Sequence, residues 1–288
     1  LQPAVRNYGY KNLRVQPTDA ISAVEEFRPQ RIFTAPNGDK IIDFGQVIAG
    51  KTVVNVDEPL GTEITLEHTE VLDKDGNYFD AMVAKQKDTY ISDGHPGVFD
   101  PAFTFHAFRY VRVTGISDIR AENFKAVLLS TPKENAASFA CDDKRFERLY
   151  KNIRYSQKNN MMSVPTDCPG REKAGWTGDI LIYAETAMLN EEMTPFLSSW
   201  IDGLCADQQT DGVIPLISPF TKLYETVGKQ TMVPFGDTEL TGIAGWSDAV
   251  IWVPYDMYTV TGNRDILRRT YTAMKKWCEY IIKTARDK

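Results

Sequence analysis

Residues 130–138 read STPKENAAS, a polar stretch with one proline and no apolar residue larger than alanine, and the chain follows different rules on its two sides. Upstream, from about Arg31 to Leu129, short runs rich in β-branched and aromatic residues are cut by turn residues: KIIDF (40–44), KTVVNV (51–56), TEITLEHTEVL (62–72), FTFHAFRYVRVTGI (103–116) and KAVLL (125–129). Short strands separated by turn signals predict a β-sandwich. Within TEITLEH, Ile64, Leu66 and His68 share one face while Thr65 and Glu67 take the other, so His68 reads as a sheet residue rather than a ligand. DKDG (73–76) has its glycine at the fourth place, where a calcium loop needs it at the sixth, and reads as a hairpin turn.

Downstream the period lengthens. Asp142 or Asp143 can cap a helix in which Phe146, Leu149, Tyr150 and Ile153 recur at the 3–4 spacing of one apolar face. Leu197, Ile201 and Leu204 repeat that spacing, as do Leu267, Tyr271, Met274, Cys278 and Ile281 after a break at Gly262–Asn263. Five helices are expected, roughly 142–160, 178–190, 192–208, 247–261 and 264–286. The stretch 209–246 between the third and fourth holds Gly212, Pro215, Pro219, Pro234, Gly236, Gly242 and Gly245 and reads as a loop suited to binding residues. All five tryptophans lie beyond the polar joint. Two domains are therefore expected: 1–137, a β-sandwich with an N-terminal connecting segment, and 138–288, a helical domain.

The 288 residues have ordinary globular composition, 42% hydrophobic and 25% charged, which speaks against a disordered or low-complexity chain. Thirty-three basic against thirty-nine acidic residues give a net charge of −6 with no lysine and arginine stripe, so nucleic acid is not an expected partner. No apolar run approaches the ~20 residues of a membrane span. The chain begins at Leu1 with no initiator methionine, so its natural N-terminus is expected to be missing, and localisation and oligomeric state stay open. Cys141, Cys168, Cys205 and Cys278 show no zinc, redox or disulfide spacing, and neither metal nor cofactor is expected. No GxSxG, HExxH, P-loop or GxGxxG occurs.

Chemistry concentrates in TDCPGREKAGWTGD (166–179), where Pro169, Gly170, Gly175 and Gly178 interrupt any helix. Asp167, Glu172 and Asp179 stand there beside Arg171, Lys173 and Trp176. Carboxylates next to an aromatic platform suit glycoside chemistry: an acid for the leaving oxygen, acceptors for hydroxyls and a flat face for the sugar. The same residues also fit a solvated ion-pair network that only shapes the loop, and three carboxylates can hold a cation, although the spacing matches no hard-cation loop.

DCPGREKAGWTGD resembles the signature loop of the bacterial α-L-rhamnosidases, glycoside hydrolase family 78. IIDFGQVIAG (41–50), HTEVLDKDG (68–76) and DPAFTFHAFRYVRVTG (100–115) resemble the sandwich that precedes the catalytic domain in that family. FERLYKNIRYSQKNNMMSVPTDCP (146–169), DGVIP (211–215) and GWSDAVIWVPYDMY (245–258) resemble the catalytic domain itself. The resemblance implies an N-terminal β-sandwich followed by the first part of an (α/α)6 barrel of six helical hairpins, incomplete in this chain. It implies an inverting hydrolase that releases terminal α-L-rhamnose, with a rhamnosylated glycan or glycoside as its substrate partner. Glu172 matches the general acid; Asp167, Arg171 and Asp179 match residues that hold sugar hydroxyls; Trp176 and Trp246 match aromatic walls. The general base of the family lies beyond residue 288, so this chain alone is expected to be inactive. Were a base within the chain, Asp237, Glu239 and Asp248 would be the first candidates.

For its role Glu172 needs surroundings that favour the protonated form. Trp176 as an apolar cover and the like charges of Asp167 and Asp179 act that way, and Arg171 acts against it. Cys168 reads as a small residue steadying the loop rather than a nucleophile. Two rival readings are another glycosidase on the same barrel and a carbohydrate-binding protein without catalysis.

Overall fold

The computed structural model describes residues 15–80, 84–131, 135–221 and 240–286. Eight antiparallel strands fill the first half: β1 (Ser22–Phe27), β2 (Arg31–Thr34), β3 (Lys40–Val56), β4 (Glu63–Thr69), β5 (Lys87–Ile91), β6 (Gly97–Phe99), β7 (His106–Thr114) and β8 (Phe124–Ser130). Their order is β1-β8-β3-β7-β4-β5, with β2 and β6 also paired to β3. The layers expected of a sandwich are thus joined into one connected sheet, because β3 reaches four neighbours. KIIDF and KTVVNV, expected as separate strands, are the two ends of β3, which runs 17 residues.

What lets β3 continue is a bulge. Its register against β7 shifts between Asp43 and Ile48, and Gly45 there has φ +77°, a left-handed conformation that costs other residues more. Asp43 holds the bulge by accepting from the Gly45 amide at 2.7 Å and from Arg109 Nε and Nη2 at 2.7 and 2.8 Å. Burial pushes the Asp43 carboxyl up, but those hydrogen bonds and the guanidinium charge outweigh it and hold the pKa low. Beneath, Ile42, Phe44, Ile48, Val54, Ile64, Leu66, Phe108, Val111, Phe124 and Leu128 make a single core. Strands β1, β2, β5 and β6 carried no clear sequence signal; in SAVEEF three of six residues face water, and in KDTYI three of five. The DKDG turn forms as expected, with the Gly76 amide donating to the Asp73 carbonyl at 3.1 Å and Leu72 bridging Tyr78.

All five expected helices form: α1 (Lys144–Asn160), α2 (Thr177–Asn190), α3 (Thr194–Asp207), α4 (Ala249–Thr261) and α5 (Asp265–Arg286). Asp143 caps α1 by accepting from the Arg145 amide, and Gly262 at φ +71° ends α4. Two short strands, β9 (Met161–Met162) and β10 (Val164–Pro165), follow α1. Leu197, Ile201 and Leu204 of α3 are buried as the spacing predicts, packed with Ile180, Ala184, Val250, Val253 and Trp277.

Two helices differ from expectation in which face they bury. On α1 Phe146 and Leu149 stay 57% and 53% exposed, while Gln157 and Asn159 are buried. The reason is polar: Asn159 Oδ1 accepts the Ala49 amide of β3 at 2.8 Å, and Gln157 donates to the Ala187 carbonyl of α2 at 3.1 Å. On α5 the buried row is Ile266, Thr270, Ala273 and Trp277, one residue before the expected stripe, whose Tyr271 is 63% exposed. Trp277 sets that rotation, since its indole N–H reaches Asp248 Oδ1 at 2.8 Å. Among the described residues no helix is long and apolar enough to cross a membrane.

Candidate active site

The loop from Thr166 to Asp179 leaves β10 and enters α2, and its own backbone closes it. The Asp167 amide donates to the Ala174 carbonyl at 3.0 Å, and the Ala174 amide donates back to Asp167 Oδ1 at 3.1 Å. Cys168 Sγ accepts the Glu172 amide at 3.2 Å. Its thiol pKa is raised, first by burial and then by Asp167, so the sulfur is a neutral brace, as its sequence context suggested. Beyond Ala174 the loop lies along residues 216–218: the Thr177 amide donates to Leu216, and the Ser218 amide to the Gly175 carbonyl at 2.9 Å. Gly175 is required by closeness, since a Cβ there would stand 2.1 Å from the Ser218 carbonyl oxygen.

Glu172 sits at the centre, its side chain 26% exposed. Arg171 Nη2 donates to Oε1 at 2.6 Å and Trp176 Nε1 donates to Oε2 at 2.9 Å. Trp176 was expected to cover the acid with an apolar face; it meets it instead through its N–H edge. Its ring packs with Ala174, Leu216, Ile217 and Leu240, leaving 9% of the residue exposed. Trp246 joins the same cluster and lies over Gly178, where a Cβ would come within 2.7 Å of the indole. Asp179, in the first turn of α2, has its pKa raised, chiefly by partial desolvation and then by the charges of Asp167 and Glu172. Asp167 and Asp179 line a groove of about 540 Å³ between α1 and α2, with Asn160, Thr166 and Tyr183. Glu172, Arg171, Trp176 and Trp246 are not in its wall.

Residues just ahead of β5 and β7 grip the loop, which nothing in the sequence announced. Gln86, 2% exposed, donates from Nε2 to the Gly170 carbonyl at 3.0 Å and accepts the Ala107 amide at 3.0 Å. The Ala84 amide donates to the Arg171 carbonyl at 3.3 Å. Lys173 turns away from the loop acids: Nζ donates to the Phe105 carbonyl at 2.5 Å and stands 4.1 Å from the Phe105 ring centre. Lys173 has φ +55°, a left-handed conformation that costs a side-chain-bearing residue about 1–3 kcal/mol and persists only when held. Burial lowers its pKa, with Asp88 acting the other way.

Asp88 belongs to one further cluster. His106 Nε2 lies 2.9 Å from Asp88 Oδ1, and the His106 ring stacks on His68 at 4.3 Å with planes 18° apart. His68 is held as a neutral ring whose Nδ1–H donates to the Gln86 carbonyl at 3.1 Å and whose Nε2 accepts from Thr52 at 3.0 Å. Burial, then the neighbouring His106, push its pKa down to about 3. Ligand atoms of His68, Asp88 and His106 all fall within 4.8 Å of one another. A metal needs each imidazole lone pair in its own ring plane, and two nearly parallel stacked rings do not share such a point. The cluster is held instead by the His106–Asp88 contact and the stacking of the two rings, with His68 the buried sheet residue that its strand pattern predicts.

Asp248 is occupied structurally, by the Trp277 indole and by the Gly245 amide at 2.9 Å. Asp237, Glu239, Pro234 and Gly236 lie outside the described residues.

Comparison with known proteins agrees with this architecture. Residues 134–288 match the bacterial alpha-L-rhamnosidase 6 hairpin glycosidase domain, and residues 33–130 match the bacterial alpha-L-rhamnosidase concanavalin-like domain. An alpha-L-rhamnosidase of Streptomyces avermitilis is 34% identical over 261 residues, covering 88% of this chain and 24% of that protein. Another, of Alteromonas sp., is 28% identical over 290 residues, covering 94% of this chain and 30% of that protein. The crystal structure of the Streptomyces avermitilis alpha-L-rhamnosidase complexed with L-rhamnose aligns with TM-score 0.84 and 31% identity, over 93% of this chain and 25% of that one. That of Dictyoglumus thermophilum aligns with TM-score 0.81 and 27% identity, over 93% of this chain and 29% of that one. The chain thus spans between about a quarter and a third of the length of these relatives.

Proposed function

The chain belongs to the bacterial α-L-rhamnosidase family, and on that premise we propose that the protein containing it is a glycoside hydrolase releasing terminal α-L-rhamnose from rhamnosides or rhamnose-bearing polysaccharides. Glu172 is its proton donor. The observation that carries this is the seating of that carboxylate, three-quarters buried and gripped on one oxygen by Arg171 and on the other by Trp176, in a loop that also holds Asp167 and Asp179. A fixed carboxyl beside a groove lined by further acids suits protonation of a glycosidic oxygen, with Asp167 and Asp179 as acceptors for sugar hydroxyls. Arg171 orients Glu172, and Trp176 and Trp246, which stand outside that groove, make the aromatic cluster on which the acid loop rests.

Hydrolysis is proposed to invert the anomeric centre. That requires a second carboxylate on the opposite face of the sugar, ~6.5–9.5 Å from the first, to activate water. The proposed base lies beyond residue 288, in the later hairpins of an (α/α)6 barrel of which α1–α5 are the first part, after a sandwich ending near residue 137. The chain alone is then inactive.

The test is Glu172→Gln in the full-length protein. Turnover of an alkyl α-L-rhamnoside, whose leaving group needs the proton, should fall about 10²–10⁴-fold. A nitrophenyl α-L-rhamnoside, whose leaving group does not, should lose much less; equal loss on both would overturn the assignment of Glu172.

A further inference from the structure

The loop carrying Glu172 is held at two points by the segments leading into β5 and β7, and neither contact is made by a residue with a role in the chemistry above. Gly170, two residues before Glu172, gives its carbonyl to Gln86 Nε2 at 3.0 Å. Lys173, the residue after Glu172, is drawn down onto the Phe105 carbonyl and ring. Between these points the Arg171 carbonyl takes the Ala84 amide. Gln86 is itself immobilised, since its Oε1 accepts the Ala107 amide and its backbone carbonyl accepts both the His68 amide at 2.7 Å and the His68 ring. Lys173 adopts a left-handed backbone that no glycine relieves, so the peptide carrying Glu172 is turned into that conformation by what its neighbour's ammonium reaches.

We propose that Lys173 and Gln86 are positioning residues, a two-point clamp through which the sandwich sets the place of the Glu172 carboxyl against the glycosidic oxygen. This rests on the reading of Glu172 as proton donor. A carboxyl held only by Arg171, itself 59% exposed at its side chain, and by one indole N–H would be free to shift with the loop. Displacement of a catalytic group by about 1 Å is enough to cost on the order of a hundredfold.

The experiment is Lys173→Met in the full-length protein, assayed beside Glu172→Gln on two substrates. On an alkyl α-L-rhamnoside kcat should fall about ten- to hundredfold with KM changed less than about threefold; on a nitrophenyl α-L-rhamnoside kcat should change less than about threefold. Lys173→Arg, which keeps the cation, should recover most of the loss. A role in folding alone lowers the amount of active enzyme and reduces both substrates equally. Equal loss, or none, in Lys173→Met while Glu172→Gln stays leaving-group selective would overturn the clamp and leave the acid in place. A Glu172→Gln variant without selectivity would remove the acid assignment and the clamp with it. If Lys173→Met does not yield folded protein, Phe105→Leu, which leaves the loop sequence intact and removes the ring under the ammonium, carries the same ratio: selective loss supports the clamp and equal loss overturns it.

Discussion

The Trp176 indole N–H donates to Glu172 Oε2 at 2.9 Å, four residues along the same loop, while the rest of the ring is sunk in a small core with Leu216, Ile217 and Leu240. One tryptophan thus anchors the loop and holds the carboxyl, and the two functions are separable by substitution. Trp176→Phe keeps an aromatic ring in that core and removes the donor. The donor stabilises the carboxylate that forms as the proton leaves Glu172, and hydrogen bonds to charged groups contribute about 1.5–3 kcal/mol, so turnover of an alkyl rhamnoside by the full-length protein should fall about ten- to hundredfold. Steady-state kinetics on alkyl and nitrophenyl rhamnosides checks this; the second should be affected less.

Two glycines should respond in opposite directions. Gly175→Ala drives a methyl into the Ser218 carbonyl, 2.1 Å from the Cβ position, where backbone cannot give way cheaply. A loss of about 1–3 kcal/mol is expected, with activity falling alongside. Gly203 lies inside α3 with open space around its Cβ position, so Gly203→Ala should stabilise by about 0.5–1 kcal/mol and leave activity unchanged. Thermal unfolding midpoints of the two variants decide the matter.

His68 should make the protein acid-sensitive. With a pKa near 3 in the folded protein against 6.5 when unfolded, it is neutral in both states at neutral pH. As pH falls below 6.5 the unfolded chain gains a proton that the native chain refuses until about 3, so stability declines through that window. The slope from this group approaches 1.4 kcal/mol per pH unit at most, on the order set by one proton. Denaturant unfolding at pH 7.5 and 5 should show wild type losing more stability between the two than His68→Gln, even if the variant is weaker at the higher pH.

Residues 1–288 expressed alone should bind a hydrophobic dye or self-associate, and should not hydrolyse an aryl rhamnoside. Ile182 is 82% exposed, Leu189 57%, Phe146 57% and Tyr271 63%, a set of apolar side chains facing outward from α1, α2 and α5. Light scattering, dye fluorescence and an activity assay check the expectation. Turnover abolished by Glu172→Gln would place a base within these residues.

The change of grammar across residues 130–138, the five helices, the DKDG turn and the position of the acid loop were legible in the sequence, because each depends on residues a few places apart. Periodicity at two or at 3.6, a capping aspartate and a glycine at a helix end are near-neighbour properties. What tertiary structure alone decided lies at long range. Gln86 meets Gly170 across 84 positions and Lys173 meets Phe105 across 68, and no spacing rule links them. The face a helix buries is of the same kind: the α5 stripe beginning at Leu267 and the row beginning at Ile266 are equally periodic, and Asp248, the residue just before α4, chose between them by receiving the Trp277 indole. The continuity of β3 depended likewise on Arg109, from another strand, neutralising Asp43 at the bulge. Local chemistry thus determined where the helices and the DKDG turn form and where the acids stand. Contacts between distant segments determined which way each face turns and what holds Glu172 in place, since their free energy exists only once the chain has closed on itself.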